Sequence, residues 1–153
     1  MKKLAFFLFI IWVSIPAKAQ FALKGGISYA KNEVSNYVVT GQFYQDLLVL
    51  SADLYMPTEK IDNLSGSGRI GFGFGDYRIR FAGDLVATYE DKHWRCGCGV
   101  EANLRLSGPI GAFIRWGRTF PIEKDGDHDE VIWRNGRSEL SLGIVIDLTR
   151  RCH

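Results

Sequence analysis

The chain has 153 residues, of which 46% are apolar, 13% aromatic and 24% charged. This length fits a single domain, while the charged fraction and a mean hydropathy of −0.04 exclude a helical membrane protein. The aromatic content argues against disorder, and a formal net charge of +2 is too small to indicate a nucleic-acid partner. The 17 glycines exceed the usual share of about 7% and need a structural explanation.

The N-terminal segment has the pattern of a secretory signal peptide. Two lysines precede an uncharged apolar run over residues 4–15, and residues 17–19 have the small-x-small form of a cleavage site. The run is too short to cross the ~30 Å hydrocarbon core of a membrane comfortably. We therefore expect residues 1–19 to be a cleaved signal peptide and residues 20–153 to form the mature domain, with a formal net charge of −1.

Apolar and polar residues alternate with a period of two along most of the mature chain, which predicts β-strands rather than helices. In the clearest stretch, residues 77–89, Arg78, Arg80 and Asp84 share one face, and aromatic and aliphatic residues share the other. Eight such segments are predicted, at residues 21–29, 37–43, 47–55, 69–74, 77–89, 94–106, 110–120 and 139–148. With pairing continued into the loops, most of them reach the roughly 9–11 residues of a tilted membrane strand.

The predicted connections alternate between short and long. Tight turns are expected at residues 45–46, 75–76 and 107–109, and other connections at residues 30–36, 56–68, 90–93 and 121–137. An even-stranded meander with short turns at one end and longer loops at the other is typical of outer-membrane barrels. The expected fold class is therefore all-β, an eight-stranded antiparallel up-and-down transmembrane β-barrel.

The two faces of the predicted strands differ in chemistry. One face is apolar, and we expect it to carry no charged residue. The other face holds seven glycines, which suit a narrow, crowded interior: Gly26, Gly71, Gly73, Gly97, Gly99, Gly111 and Gly143. It also holds seven basic and five acidic residues: Lys24, Asp53, Arg69, Arg78, Arg80, Asp84, Arg95, Glu101, Arg105, Arg115, Glu139 and Asp147.

We expect the polar face to line the interior, where charges of opposite sign can neutralise one another. The candidate interior charge network consists of Arg78, Arg80, Asp84, Arg95, Glu101, Arg105, Glu139 and Asp147. A paired plug is the favoured arrangement, because eight strands enclose a space just wide enough for side chains. The alternative is a small ion path, which would require the network to rearrange.

Aromatic residues collect near the ends of the apolar face: Tyr29, Tyr37, Tyr77, Tyr89, Trp94 and Trp116. Such residues are typical of the girdles that meet the lipid interfaces of a membrane barrel. They favour an apolar face turned towards lipid. The competing interpretation is a soluble periplasmic lipocalin-like barrel, which would turn the apolar face inward around a ligand.

From Phe21 to Leu148 this pattern resembles the small eight-stranded outer-membrane barrels of the OmpA-barrel and OmpX-like group, through architecture rather than a specific motif. The resemblance implies a Gram-negative outer-membrane location, contact with membrane lipid and lipopolysaccharide, and insertion by the barrel-assembly machinery. Both termini would then lie in the periplasm. Members of this group usually end on an aromatic residue, whereas the last predicted strand here ends at Leu148. The resemblance implies no particular activity.

Alternating carboxylates at Asp125, Asp127 and Asp129 form a weak candidate loop for a divalent cation. The EF-hand pattern is broken, because Glu130 stands where that motif has glycine and Gly136 where it has glutamate. We therefore expect a solvated acidic loop with no metal, and no cofactor elsewhere in the chain.

The three cysteines form no complete disulfide framework. Cys96 and Cys98 share one face of a predicted strand, where they act as small apolar groups, and Cys152 follows the last strand. A metal or redox pair is the weaker alternative, because a structural zinc site takes about four ligands.

Some eight-stranded outer-membrane barrels modify lipid A, which requires a nucleophile and a base at the outer rim. The histidines of the mature chain, His93, His128 and His153, have no serine beside them in a recognisable motif. We therefore expect a structural, adhesive or accessory barrel rather than an enzyme, with residues 56–68 and 121–137 as the surface for a protein partner. An accessory barrel of a conjugal-transfer or secretion system fits the same outline.

Overall fold

The computed structural model describes residues 20–30, 33–58, 64–76, 78–90, 93–125, 128–131 and 136–148. They contain nine β-strands: β1 (Gln20–Ala30), β2 (Glu33–Gln45), β3 (Leu48–Pro57), β4 (Ser65–Gly75), β5 (Ile79–Glu90), β6 (His93–Ser107), β7 (Ile110–Asp125), β8 (His128–Val131) and β9 (Arg137–Asp147). This part of the chain contains no helix long and apolar enough to span a membrane. The expected signal peptide, residues 1–19, lies outside the described residues.

Eight of the strands form a closed barrel in which every pairing is antiparallel. Strands β1 to β7 pair in chain order, and β9 pairs with both β7 and β1. Residues 110–119 of β7 face residues 137–146 of β9, and residues 22–30 of β1 face residues 139–147 of β9. Closure leaves no open edge in the barrel wall. The predicted fold, an eight-stranded antiparallel up-and-down barrel, is confirmed.

The barrel has two ends that differ in their connections. We call the end with the β2–β3, β4–β5 and β6–β7 turns the turn end, and the opposite end the loop end. At the loop end, residues 31–32 and 91–92 alone separate β1 from β2 and β5 from β6, so the connections expected at 30–36 and 90–93 are largely strand. The strands run on because antiparallel pairing satisfies backbone groups even where side-chain alternation fades.

One of the tight turns differs slightly in position from the prediction. The β2–β3 turn is Asp46–Leu47, one residue later than expected, because Gln45 still pairs with Leu48. Asp46 has a φ of 51°, in the left-handed region that aspartate tolerates better than most residues. The third turn, at residues 108–109, lies where it was expected, with Gly108 at a φ of 52°.

Strand β5 begins at Ile79, two residues later than predicted. The Asp76 carboxylate accepts hydrogen bonds from the backbone N–H of Arg78 at 2.6 Å and of Ile79 at 2.9 Å. The Asp76 side chain therefore takes backbone N–H groups that would otherwise pair with a neighbouring strand, and the regular strand begins only after them. Tyr77 lies outside the described residues.

The segment predicted as a long loop at residues 121–137 instead contains a hairpin. Strand β7 continues to Asp125, and β8 pairs back onto it, with Asp125 opposite His128 and Lys124 opposite Asp129. The acidic loop proposed from the sequence is thus divided between two paired strands, and Asp127 lies outside the described residues. No group of three or more His, Cys, Asp or Glu side chains suited to a metal occurs within the described ranges.

Burial alternates along the barrel strands and places the polar face inside. In β3, for example, Asp53 and Tyr55 are buried, whereas Leu50 and Leu54 are exposed. The outside is covered by large apolar side chains, among them Phe72 and Leu85 with 71% and 66% of their surface exposed. This is the reverse of a soluble protein, in which such residues are mostly buried.

The prediction that the apolar face carries no charged residue is wrong at Arg118, which lies on the outward face. Arg118 is exposed near the loop end of β7, and its guanidinium lies 5.3 Å from the centre of the Phe120 ring. An arginine next to an aromatic ring keeps a favourable cation–π contact in a partly apolar setting.

Several inward glycines allow the strands to approach closely. A Cβ atom on Gly26 would lie 2.2 Å from the Leu142 carbonyl oxygen, and one on Gly143 would lie 2.2 Å from the Gly25 oxygen. Gly26 and Gly143 face each other across β1 and β9. The glycine excess therefore reflects, in part, a barrel wall whose inner side has no room for side chains at these positions.

A buried ion network between two vestibules

Six charged side chains meet in the middle of the barrel, each from a different strand. They are Lys24 of β1, Asp53 of β3, Arg69 of β4, Asp84 of β5, Glu101 of β6 and Arg115 of β7. The side chains are between 0 and 7% exposed. Three cations and three carboxylates make the set electrically neutral, which such deep burial requires.

Arg115 joins the two carboxylates that accept the most hydrogen bonds. Its Nη1 lies 2.9 Å from Asp53 Oδ1, and its Nη2 and Nε lie 2.7 and 2.8 Å from Glu101 Oε2. The planar guanidinium can serve both partners at once because its donors point in several fixed directions. Arg115 therefore links the β3 side of the barrel to the β6 side.

Asp53 is saturated by donors from neighbouring strands. Arg69 Nε donates to its Oδ2 at 2.6 Å, Ser67 Oγ donates to the same oxygen at 2.7 Å, and Thr40 Oγ1 donates to Oδ1 at 2.6 Å. Arg69 also donates through Nη1 to Asp84 at 3.1 Å. With Arg115 added, both oxygens of Asp53 are occupied by charge-assisted or hydroxyl hydrogen bonds.

Glu101 is held in the same way. Lys24 Nζ forms an ion pair with its Oε1, and the same oxygen accepts hydrogen bonds from Gln42 at 3.1 Å and Asn103 at 2.7 Å. A carboxylate with this many donors has no lone pair left to remove a proton from a substrate. The arrangement suits structure rather than acid–base chemistry.

Phe113 and two tyrosines complete the cross-section. The Phe113 ring is buried, with Lys24 Nζ 5.3 Å from its centre. Tyr55 accepts a hydrogen bond from Arg69 at 3.1 Å, and Tyr44 donates to Gln42. The bore at this level is therefore filled by protein side chains.

A small cavity lies on each side of the network. The loop-end vestibule, about 30 Å³, is lined among others by Glu90, Thr119, Arg137 and Glu139. Arg137 and Glu90 form an ion pair of 2.9 Å that is about one-third exposed. Arg95, also at this end, donates from Nε to Thr119 Oγ1 at 3.2 Å.

The turn-end vestibule is larger, about 70 Å³. Arg80, half-buried, donates to Gln20 Oε1 at 3.1 Å, and its guanidinium carbon lies 4.4 Å from the centre of the Tyr44 ring. Arg105 lies 3.7 Å from Asp147, with both side chains about one-quarter exposed. The Arg105–Asp147 pair is longer and more exposed than the ion pairs of the central network.

The eight charged residues predicted as one interior network are divided among three places. Asp84 and Glu101 belong to the central network. Arg95 and Glu139 lie at the loop end. The other four, Arg78, Arg80, Arg105 and Asp147, line the turn-end vestibule.

Four central members were assigned to the polar face but not to the candidate network: Lys24, Asp53, Arg69 and Arg115. Each lies well inside its strand rather than near a turn, which is the signal that separates them from the vestibule charges. Selecting only the charged residues of the polar face that lie in the middle of a strand would have identified these four.

The predicted interface aromatics that the structure describes all lie outside the barrel at its loop end. Tyr37, Tyr89, Trp94 and Trp116 are exposed, and Tyr29 is half-exposed. Tyr89 and Trp94 face each other across β5 and β6 with ring centres 5.2 Å apart. At the turn end, the outward rings of the described residues are phenylalanines. Phe74 and Phe81 stack with ring centres 5.7 Å apart, and Phe21 and Phe72 are also exposed.

Cys96 and Cys98 are free thiols on the outward face of β6. They face Phe120 and Arg118 of β7 rather than another cysteine or histidine. Their position agrees with the interpretation as small apolar groups, and Cys152 lies outside the described residues.

The sequence matches no protein-family model and no curated protein. Among solved structures, the fold is similar to a de novo designed transmembrane β-barrel, with a TM-score of 0.61 and 12% identity over 84% of this chain and 95% of the design. Neisserial surface protein A (NspA) also matches, with a TM-score of 0.41 and 10% identity over 84% of this chain and 94% of that protein. The similarity to the design concerns the fold, which is that of a small transmembrane β-barrel.

Proposed function

We propose that this chain is a small integral outer-membrane β-barrel with a structural, adhesive or accessory role. The observation that carries the proposal is the inverted burial: large apolar side chains cover the outside, while six charged residues are paired in the middle. An apolar belt of this extent around a monomer would be an aggregation hazard in water, whereas lipid is its natural solvent.

The proposal includes an orientation and a route to the membrane. A cleaved leader would export the chain, the barrel-assembly machinery would insert it, and the loop end would face the exterior among lipopolysaccharide. The short β2–β3, β4–β5 and β6–β7 turns support this orientation, because outer-membrane barrels have short turns on the periplasmic side and longer loops outside. Membership of the OmpA-barrel and OmpX-like group is the finer form of this proposal and rests on strand number and patterning.

The interior supports a plugged rather than a conducting barrel. Arg115 bridges Asp53 and Glu101 where a path for ions would have to pass, and each partner has further hydrogen bonds. A lipocalin-like carrier would need its apolar face around a ligand, but here that face is outside. An accessory role in a conjugal-transfer or secretion system is one form of the accessory function proposed, with residues 56–68 and 121–137 as the surface for a partner.

Cell fractionation combined with gel mobility tests the location. We expect the protein in the outer-membrane pellet, with faster migration when unheated than after boiling, because a closed barrel resists detergent unfolding. Recovery of the folded protein from the soluble periplasm would overturn the proposal.

We also propose that the barrel is not an enzyme. The buried carboxylates of Asp53 and Glu101 accept hydrogen bonds on both oxygens, and His93, at the start of β6, has no serine beside it in a recognisable catalytic motif. Expression should leave the mass spectrum of lipid A unchanged. A new lipid A species that disappears in His93→Ala or His128→Ala would contradict this part of the proposal.

A further inference from the structure

The turn-end vestibule has a charge composition unlike that of the central network. Three arginines line it, Arg78, Arg80 and Arg105, against two carboxylates, Asp76 and Asp147. The Asp76 carboxylate is already bound to two backbone N–H groups of its own turn. Three arginines against two carboxylates give the cavity an excess of one positive charge, whereas the central network is neutral.

Arg80 is the residue whose hydrogen-bonding capacity is least used. Its Nη1 donates to the neutral Gln20 amide oxygen, and Tyr44 covers one face of the guanidinium. Within the described ranges, Arg80 forms no ion pair with a carboxylate. A guanidinium has five N–H donors arranged for planar recognition of an oxyanion, so several of them remain for a ligand.

The cavity also has suitable space and surroundings. Its volume of about 70 Å³ is several times the roughly 10–15 Å³ that one water molecule needs. Ala22 and Val145 contribute apolar walls, which strengthen the attraction between a bound anion and the arginines. Arg105 donates from Nε to the Gly108 carbonyl oxygen, and its Nη2 lies 3.7 Å from Asp147, so its Nη donors can still bind an anion from a second side of the cavity.

We infer that the turn-end vestibule binds a small free oxyanion of the phosphate class, held by Arg80 and Arg105. The cavity lies inside the barrel wall, so a lipid headgroup in the surrounding leaflet would be on the other side of the sheet. This inference does not depend on the outer-membrane location, because it concerns only the charges and space at the turn end.

The test uses residues 20–153 folded in zwitterionic detergent micelles and titrated with sodium phosphate, with sodium chloride keeping the ionic strength constant. The side-chain Nε–H signals of Arg80 and Arg105 should shift saturably in nuclear magnetic resonance spectra. Arg80→Gln should weaken phosphate binding by about tenfold, the typical effect of losing one charge-assisted hydrogen bond. Arg80→Lys should retain part of the affinity, because lysine keeps the positive charge but lacks the planar set of guanidinium donors.

Arg95→Gln is the matched control, since it removes an arginine of similar burial at the loop end. It should leave phosphate affinity unchanged. Gel mobility and amide spectra show whether each variant is folded, and Arg105→Gln replaces Arg80→Gln if the latter fails to fold. A linear, unsaturable response to phosphate, or equal weakening by Arg95→Gln, would overturn the inference.

Discussion

Arg115 places its guanidinium between Asp53 and Glu101, at 2.9 Å from one and 2.7 Å from the other. Replacing it by methionine would leave two buried carboxylates without their shared cation. We expect Arg115→Met to lower the free energy of unfolding by about 3–5 kcal/mol, the usual cost of breaking a buried ion pair from one side. Urea unfolding of the folded barrel in lipid vesicles measures this change.

Arg95→Met is the control for that experiment. Arg95 is half-buried and donates hydrogen bonds to the hydroxyl and carbonyl oxygens of Thr119. Its loss should cost about 1 kcal/mol, in the range of an ordinary hydrogen bond. Equal destabilisation by the two variants would show that Arg115 has no special role in the interior.

Adjacent glycines of β1 allow a second test at single residues. A methyl group on Gly26 would lie 2.2 Å from the Leu142 carbonyl oxygen, but a methyl group on Gly25 would meet no atom within 4 Å. We expect Gly26→Ala to destabilise the barrel by about 1–3 kcal/mol through overpacking against backbone. Gly25→Ala should be neutral or slightly stabilising, by up to about 1 kcal/mol. The same unfolding assay compares them, and equal effects would contradict the close approach of β1 and β9.

For single residues, the sequence predicts which face of a strand each side chain occupies, but not which partner it meets. The period of two assigned Lys24, Arg69 and Arg115 to the polar side without identifying their partners. Arg115 and Asp53 are separated by 62 positions in the chain. Their contact depends on the stagger of strands around the barrel, which sequence alternation does not encode.

Among the elements, the β4–β5 turn depends on one exposed carboxylate. The backbone N–H groups of Ile79 and Arg78 donate to Asp76 and hold the pKa of its carboxyl below the usual value. A carboxyl with a lowered pKa in the folded state stabilises that state above its unfolded pKa, and this contribution is lost as the pH falls through the folded pKa. We therefore expect the turn to loosen only in acid.

A carboxyl carbon-13 titration measures that pKa directly, with Asp76→Asn assigning the signal. The carboxyl should titrate below about 3.9, the value of an unperturbed aspartate. Titration at or above that value would mean that the two backbone hydrogen bonds do not persist in solution.

The β7–β8 hairpin shows where element prediction fails. Its strands include Glu123, Asp125 and Asp129, which belong to a charged run that lacks apolar alternation and therefore indicates a loop. In the structure, pairing continues from β7 into β8 across this run. Backbone hydrogen bonding extends the strands there, where no buried face is needed.

For the whole molecule, the proposed lipid environment predicts that the cost of a charge depends on depth. Leu85 is near the middle of β5 and 66% exposed, while Leu106 is 65% exposed close to the turn end of β6. Leu85→Arg should destabilise the barrel in lipid vesicles by about 2–4 kcal/mol, and Leu106→Arg by about 0–1 kcal/mol. Unfolding measurements in the same vesicles compare these two substitutions of equal chemistry and exposure.

A soluble barrel would behave differently. Arginine at either exposed position would then cost little and would improve solubility in buffer without detergent. That result for Leu85→Arg would contradict the assignment of the outer face to lipid.

The amino-acid sequence was sufficient for the eight strands of the barrel, the antiparallel meander and the division into polar and apolar faces, because each follows from local alternation and turn residues. Three-dimensional closure was needed for the rest. It brought Lys24, Asp53 and Arg115 together from distant strands, left Arg80 in a separate cavity, and extended β7 beyond its apolar stretch. Local patterns report which side of a strand a residue occupies, whereas ion pairs depend on the register and stagger of the whole barrel.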